Sequence, residues 1–216
     1  MEIRLERIKV TLPPNGRTLF RINTWRVPAG EHLLIQGASG LGKTTLLHLA
    51  AGLFLPETGD IHLGSHHLNA LSDEERCRIR RGHVGLVFQK LNLLDHLTAL
   101  ENVLLGQPPS TSPKEACAAA LAALERVGMA TLADSRSAVL SLGEQQRVAV
   151  ARVLAAKPDV VLADEPTSSL DQTNADAVMS ALVEVTHGRT LVVVSHDQRI
   201  QSRFTKVINF SEMLTR

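Results

Sequence analysis

The stretch Gly37-Ala38-Ser39-Gly40-Leu41-Gly42-Lys43-Thr44-Thr45 fits the pattern G-x-x-x-x-G-K-S/T, whose chemistry is phosphate binding. Backbone N–H groups from Gly37 to Gly42 can wrap a polyphosphate only if side chains leave the approach open, which accounts for glycine at 37, 40 and 42. A helix starting just after them adds the positive end of its dipole. Lys43 is then placed for the terminal phosphates and the Thr44 hydroxyl for Mg²⁺. A glycine turn before a helix is the structural alternative. The bare pattern arises by chance in roughly one chain in a hundred of this length, and correct flanking elements lower that further.

Three more groups share this logic. Val160-Val161-Leu162-Ala163-Asp164-Glu165 is an apolar run ending in two acids, the first suited to a Mg²⁺ shell and the second to polarising an attacking water. Val192-Val193-Val194-Ser195-His196 ends another apolar run, from which His196 could donate a hydrogen bond to a γ-phosphate. Gln89 follows Val84–Phe88 in the same way. Leu140-Ser141-Leu142-Gly143-Glu144-Gln145-Gln146-Arg147 opens a helical pattern, and Ser141 with Glu144 forms a capping box, which by itself explains both residues structurally.

The elements that must position these groups alternate. Ile3–Val10 reads as a strand, Pro13–Gly16 as a turn, and Thr18–Val27 as one or two short strands, together an antiparallel β-layer. His32–Gln36 is a buried strand entering the glycine loop, followed by a helix from about Lys43 to Ala51. Strands are expected at Asp60–Leu63, Val84–Phe88, Asp159–Ala163, Thr190–Val194 and Lys206–Phe210. Helices are expected at Ser72–Arg81, Ser141–Ala156 and Asp171–Thr186. Between about 91 and 139 the β-signal vanishes, and Thr98–Leu105 and Lys114–Val127 read as helices joined by a Pro/Ser linker at 107–113. The expectation is one α/β domain over 1–216: a P-loop, RecA-like parallel sheet core (about 1–90 and 140–216), an antiparallel β-layer, and an inserted α-helical subdomain (about 91–139). Ligands should sit at the carboxyl ends of the strands.

The bulk numbers exclude several classes. With 23 Lys and Arg against 22 Asp and Glu among 216 residues, the net charge of +1 supplies no field to hold nucleic acid or an anionic membrane. No apolar run reaches the roughly 20 residues a transmembrane helix needs, and the first residues lack the apolar centre of a secretory signal. The protein is therefore expected in the cytosol, with any membrane attachment made through a protein partner. Cys77 and Cys117 are isolated and read as reduced thiols. His62, His66 and His67 cluster around Gly64-Ser65 without a second group at ligand spacing, which argues against a structural metal.

In this order the motifs resemble the ATP-binding subunits of the ABC family, whose signature L-S-G-G-Q/E stands just before an acidic strand end, as Leu140–Glu144 does here. The resemblance covers the phosphate loop, Gln89, the signature, Asp164-Glu165, the Ser168–Asp171 loop and His196. It implies ATP hydrolysis with Mg²⁺ by a head-to-tail dimer of two ATPase subunits. Each ATP would lie on the phosphate loop of one subunit (Gly37 to Thr45) and under Ser141, Gly143 and Glu144 of the other, with Asp171 crossing between them. Lys43, Glu165 and His196 take the catalytic places; Thr44, Gln89 and Asp164 surround the metal. The resemblance further implies an integral membrane permease as partner, with this subunit on the cytoplasmic face of the inner membrane. Leu97–Val103 and Val161–Thr167 are most similar to the lipoprotein-releasing and macrolide-exporting branch. An alternative is a soluble ABC ATPase with an assembly or regulatory role, akin to those of iron–sulfur assembly or cell division.

Two positions depart from the family pattern. Leu142 replaces the first signature glycine, and the stretch Val10-Thr11-Leu12 lacks the aromatic that stacks on adenine, in a chain with no tyrosine. Losing a stacked ring costs on the order of 1 kcal/mol. Arg17, or an apolar contact from Val10, is the expected substitute.

Overall fold

The structure, a computed structural model, describes residues 1–12, 16–108 and 110–215. Most of the turn read at 13–16, and Pro109 of the linker, lie outside them. Five parallel strands form the central sheet in the order β6-β7-β8-β3-β9: β3 His32–Gln36, β6 Val84–Val87, β7 Val160–Asp164, β8 Thr190–Val194 and β9 Lys206–Asn209. A second, antiparallel sheet has the order β2-β1-β4-β5, from β1 Ile3–Leu12, β2 Arg17–Val27, β4 Thr58–Leu63 and β5 His66–His67. The one or two strands expected before Val27 are thus a single strand of 11 residues.

β7 and β8 are buried along their whole length, as strands covered on both faces must be, and their side chains divide by parity between two cores. Val161, Ala163, Leu191 and Val193 point to the side that also holds α3 Ala99–Leu104, α4 Pro113–Arg126, α5 Leu142–Ala156 and α6 Gln172–Val185. Val160, Leu162, Val192 and Val194 point to the side shared by α1 Lys43–Ala50 and the antiparallel sheet. A fully buried Val or Leu contributes about 1.5–3 kcal/mol, so both faces are anchored by the strands that carry the acidic and histidine motifs. No strand lies between β6 and β7 among the described residues.

Helix starts follow the capping chemistry. α2 Asp73–His83, α3, α4 and α5 each begin with a reciprocal Ser/Thr–Glu box, from Ser72, Thr98, Ser112 and Ser141 respectively. The last expected strand stops at Asn209, whose side chain accepts from the Ser211 N–H and starts a short helix, α7 Phe210–Met213. In β1 the buried positions switch parity, from Ile3 and Leu5 to Ile8 and Val10. Arg7 between them has φ 52°, and the pairing with β4 shifts register there, which marks a bulge.

Candidate active site

Strand register brings the motifs level. Ile35 pairs with Val194, Val194 with Asp164, and Ala163 with Val87. The chain therefore leaves β3, β8, β7 and β6 along one edge of the sheet, at the glycine loop, Ser195-His196, Glu165 and Gln89.

A cavity of about 340 Å³ opens on that edge. Ser39, Gly40, Gly42, Lys43, Thr44 and Thr45 line it, joined by Gln89, Asp164 and Glu165. Leu19 of β2 and Val194 complete the lining. The backbone at Gly42 has φ 102°, and a Cβ there would sit 2.7 Å from the Phe20 ring, so only glycine lets the loop turn into α1 against β2. A Cβ at Gly40 would meet nothing within 4 Å, because that position faces the opening. Gly42 caps α1 without a side-chain acceptor, which leaves the first-turn N–H groups available to an anion. Gly37 and Ala38 contribute carbonyls rather than lining: both accept from Lys43 Nζ, at 2.7 and 2.8 Å. Leu41 packs against the core on the β2 side.

The Thr44 hydroxyl donates to Asp164 Oδ2 at 2.5 Å. Burial pushes the Asp164 carboxyl above its ordinary value; the Thr44 hydrogen bond opposes this, and the neighbouring Glu165 charge adds to it. His48 on α1 is shifted down, chiefly by burial, with Asp164 opposing. The oxygens of Thr44 and Asp164, with the Gln89 side chain on the same cavity, form a hard-donor set that suits Mg²⁺ sharing its remaining positions with phosphates and water.

Glu165 has φ 50°, an uncommon left-handed conformation for a non-glycine residue. Its N–H donates to Val194 O at 2.8 Å. Its carboxylate accepts from Ser195 Oγ at 2.8 Å and from the His196 N–H at 3.2 Å, and His196 Nδ1 lies 2.7 Å from Oε1. His196 is thus tied to Glu165 through its Nδ1 while its side chain remains exposed. The loop holding His196 is fixed by Asp197, which accepts from Thr167 Oγ1 at 2.9 Å and whose carboxyl is lowered to about 2, mainly by its hydrogen bond to Arg199.

Ser141, Gly143 and Glu144 stand apart from the cavity, at the start of α5. The Glu144 carboxylate accepts from both the N–H and the Oγ of Ser141, so in a single chain these residues cap the helix. Gly143 packs against the loop after β7, where a Cβ would lie 3.3 Å from Ser169 O. Leu142 is 61% exposed. Asp171 caps α6 through the Asn174 N–H. Val10 is buried in the core and cannot touch a nucleotide base, and Arg17 does not line the cavity. The sequence does not single out Leu19, a half-buried side chain of β2 that lines the cavity and, like Phe20, reaches Gly42.

A family model described as ABC transporter matches residues 20–168. The lipoprotein-releasing system ATP-binding protein LolD of Xanthomonas euvesicatoria is 40% identical over 191 residues, 86% of this chain and 78% of that protein. An uncharacterized ABC transporter ATP-binding protein of Mycobacterium tuberculosis, Rv0986, is 39% identical over 189 residues, 86% of this chain and 76% of its own. Among solved structures, the ATP-binding cassette MJ0796, as a post-hydrolysis dimer bound to ADP and Pi, matches with a TM-score of 0.89 at 33% identity. That match covers 96% of this chain and 93% of the other.

Proposed function

Because the chain belongs to the ABC transporter family, we propose that it is the ATP-binding and hydrolysing subunit of a transporter, working as a dimer beneath a separate membrane permease. One observation carries this reading: Lys43 and Thr44 at the start of α1 and Asp164 and Glu165 at the end of β7, from two segments 120 residues apart, meet on a single cavity at the carboxyl edge of the parallel sheet. Phosphoryl transfer asks mainly for positioning and charge stabilisation, and those four side chains supply both.

In this reading Lys43 leaves the Gly37 and Ala38 carbonyls for the β- and γ-phosphates, while the loop N–H groups and the α1 N-terminus hold the remaining oxygens. Glu165 orients and polarises the attacking water. His196, anchored to Glu165, faces the γ-phosphate. Thr44, Gln89 and Asp164 hold Mg²⁺, which neutralises charge on the bridging phosphates. Ser141 and Gly143 of a second copy complete the pocket, the open end of the capped α5 helix meeting the opposing γ-phosphate. The pairing is supported by the dimeric MJ0796 cassette.

No helix among the described residues is long and apolar enough to cross a membrane. We assign membrane association to a permease segment seated in the groove of about 290 Å³ lined by Leu53, Phe88, Leu105, Arg81 and Arg152. Arg152 donates to the Leu91 and Asn92 carbonyls beside Gln89, which links that groove to the cavity. In this reading the subunit works at the cytoplasmic face of the inner membrane. The helical segment 91–139 is then the subdomain that forms one wall of the groove. The LolD relatives favour the lipoprotein-releasing branch.

The test is phosphate release from ATP with Mg²⁺. Steady release that disappears in Lys43→Ala is expected; release unchanged by that substitution would reject the reading.

A further inference from the structure

Gln146 is polar, 2% exposed, and paired at both ends of its side chain. It lies one turn beyond the Ser141 cap on α5. Its Nε2 donates to the Glu165 carbonyl at 2.8 Å, and its Oε1 accepts from the Ser169 N–H at 3.1 Å. One buried amide thus ties the signature helix to the peptide of Glu165 and to the loop after it. A buried glutamine persists in an apolar helix face only when both ends are satisfied, and here the partners are two segments of one functional turn.

The Glu165 peptide needs that support. Its left-handed φ of 50° is unfavourable for a side chain with a Cβ, and such conformations persist only where the surroundings over-determine them. The Val194 carbonyl fixes the N–H side of the residue, the Ser168 N–H reaches its carbonyl only at 3.3 Å, and Gln146 supplies the shorter bond there. The carboxylate is set separately, by Ser195 and His196. Gly143, three residues before Gln146, packs on Ser169 O and Leu170. Displacement of the start of α5 is therefore transmitted to the turn that aims Glu165.

We propose that Gln146 is a positioning residue: it holds Glu165 in its left-handed conformation and couples the seating of the α5 N-terminus to the aim of the Glu165 carboxylate. The inference rests on the ATPase reading above. Gln146 touches neither nucleotide nor water in this account, so its effect belongs in turnover rather than in nucleotide affinity.

The test uses the full chain and two variants, each compared with wild type and with Glu165→Gln. Gln146→Met keeps the length and removes both hydrogen bonds. Gln146→Glu keeps an acceptor for Ser169 but, when ionised, cannot donate to the Glu165 carbonyl. For both, kcat is expected to fall at least about tenfold, since ångström-scale misplacement of a reacting group costs up to about 100-fold. KM for ATP and the affinity for a fluorescent ATP analogue should stay within about twofold. In the Glu165→Gln background either Gln146 substitution should lower the residual rate no further, because the two residues act as a unit. If either folded variant retains wild-type kcat, or if the Gln146 and Glu165 losses multiply, the proposal fails while the ATPase reading stands. If wild type shows no Lys43-dependent hydrolysis, both fail.

Discussion

The Thr44 hydroxyl donates to the Asp164 carboxylate across 2.5 Å, joining the first turn of α1 to the carboxyl end of β7. That contact joins the phosphate loop to the acidic strand end and sets two oxygens side by side.

Asp164 is nonetheless a costly charge for the folded protein, because burial outweighs the Thr44 hydrogen bond. Burial raises its folded pKa above the unfolded one, so its contribution favours folding at pH below the unfolded value and is lost as pH rises through the folded value. Asp164→Asn keeps an acceptor for Thr44 and removes the buried charge. At pH 7 the ligand-free variant should melt about 2–4 °C above wild type, with the gap closing as pH falls through the Asp164 pKa. The Mg²⁺-dependent rise in Tm with ATP should vanish. Melting curves with and without MgATP check both; a ligand-free Tm below wild type would contradict the account of this group.

Leu142 concerns the second half of the pocket. It is exposed at the first position of α5, while the Ser141 cap and the packing of Gly143 on Ser169 are intact. Leu142→Gly should leave steady-state ATPase activity equal or higher, at a cost of roughly 1 kcal/mol in helix stability. A clear loss of turnover in a folded variant would show that the leucine side chain itself has a role.

If the base lies at the cavity edge, Leu19 is the apolar side chain it would meet there. The chain has five Phe, one Trp and no Tyr, and none of them lines the cavity. Phe20, Trp25, Phe204 and Phe210 are buried elsewhere. An aliphatic surface offers a base neither a π-face nor an edge donor. The missing stack, about 1 kcal/mol, corresponds to about fivefold in affinity. GTP should therefore be hydrolysed with kcat/KM within about fivefold of ATP, measured side by side under saturating Mg²⁺. A preference for ATP above about thirtyfold would require a base contact that Leu19 does not provide.

The parts of the site carried by contiguous residues at strand ends were legible in the sequence. An apolar run of five followed by Asp164-Glu165 or Ser195-His196 states both the strand and the place where it stops, and the parallel register then sets those stops side by side. What depends on tertiary contact was not legible. Val10 is expected near a base because it stands in the stretch where the family carries its stacking aromatic, but the bulge at Arg7 switches parity and puts it in the core. The pairing of His196 Nδ1 with Glu165 Oε1, 2.7 Å apart, depends on two strand ends 31 residues apart and is not written in either. Gln146 lies in the helical pattern just after the signature and has no role legible there, because its partners, Glu165 and Ser169, lie 19 and 23 residues further along the chain. The capping box at Ser141 was read correctly, and its second use depends on another copy of the chain.

The central claim is a site shared between two subunits and closed by ATP, and Glu165→Gln tests it most directly. With hydrolysis slowed to a residual rate and the fold kept, this variant at saturating MgATP should run in light-scattering chromatography at twice the mass of one chain. It should return to a single chain's mass when Lys43 is also replaced by Ala. A Glu165→Gln protein that stays monomeric with saturating MgATP and still releases phosphate would contradict the shared site.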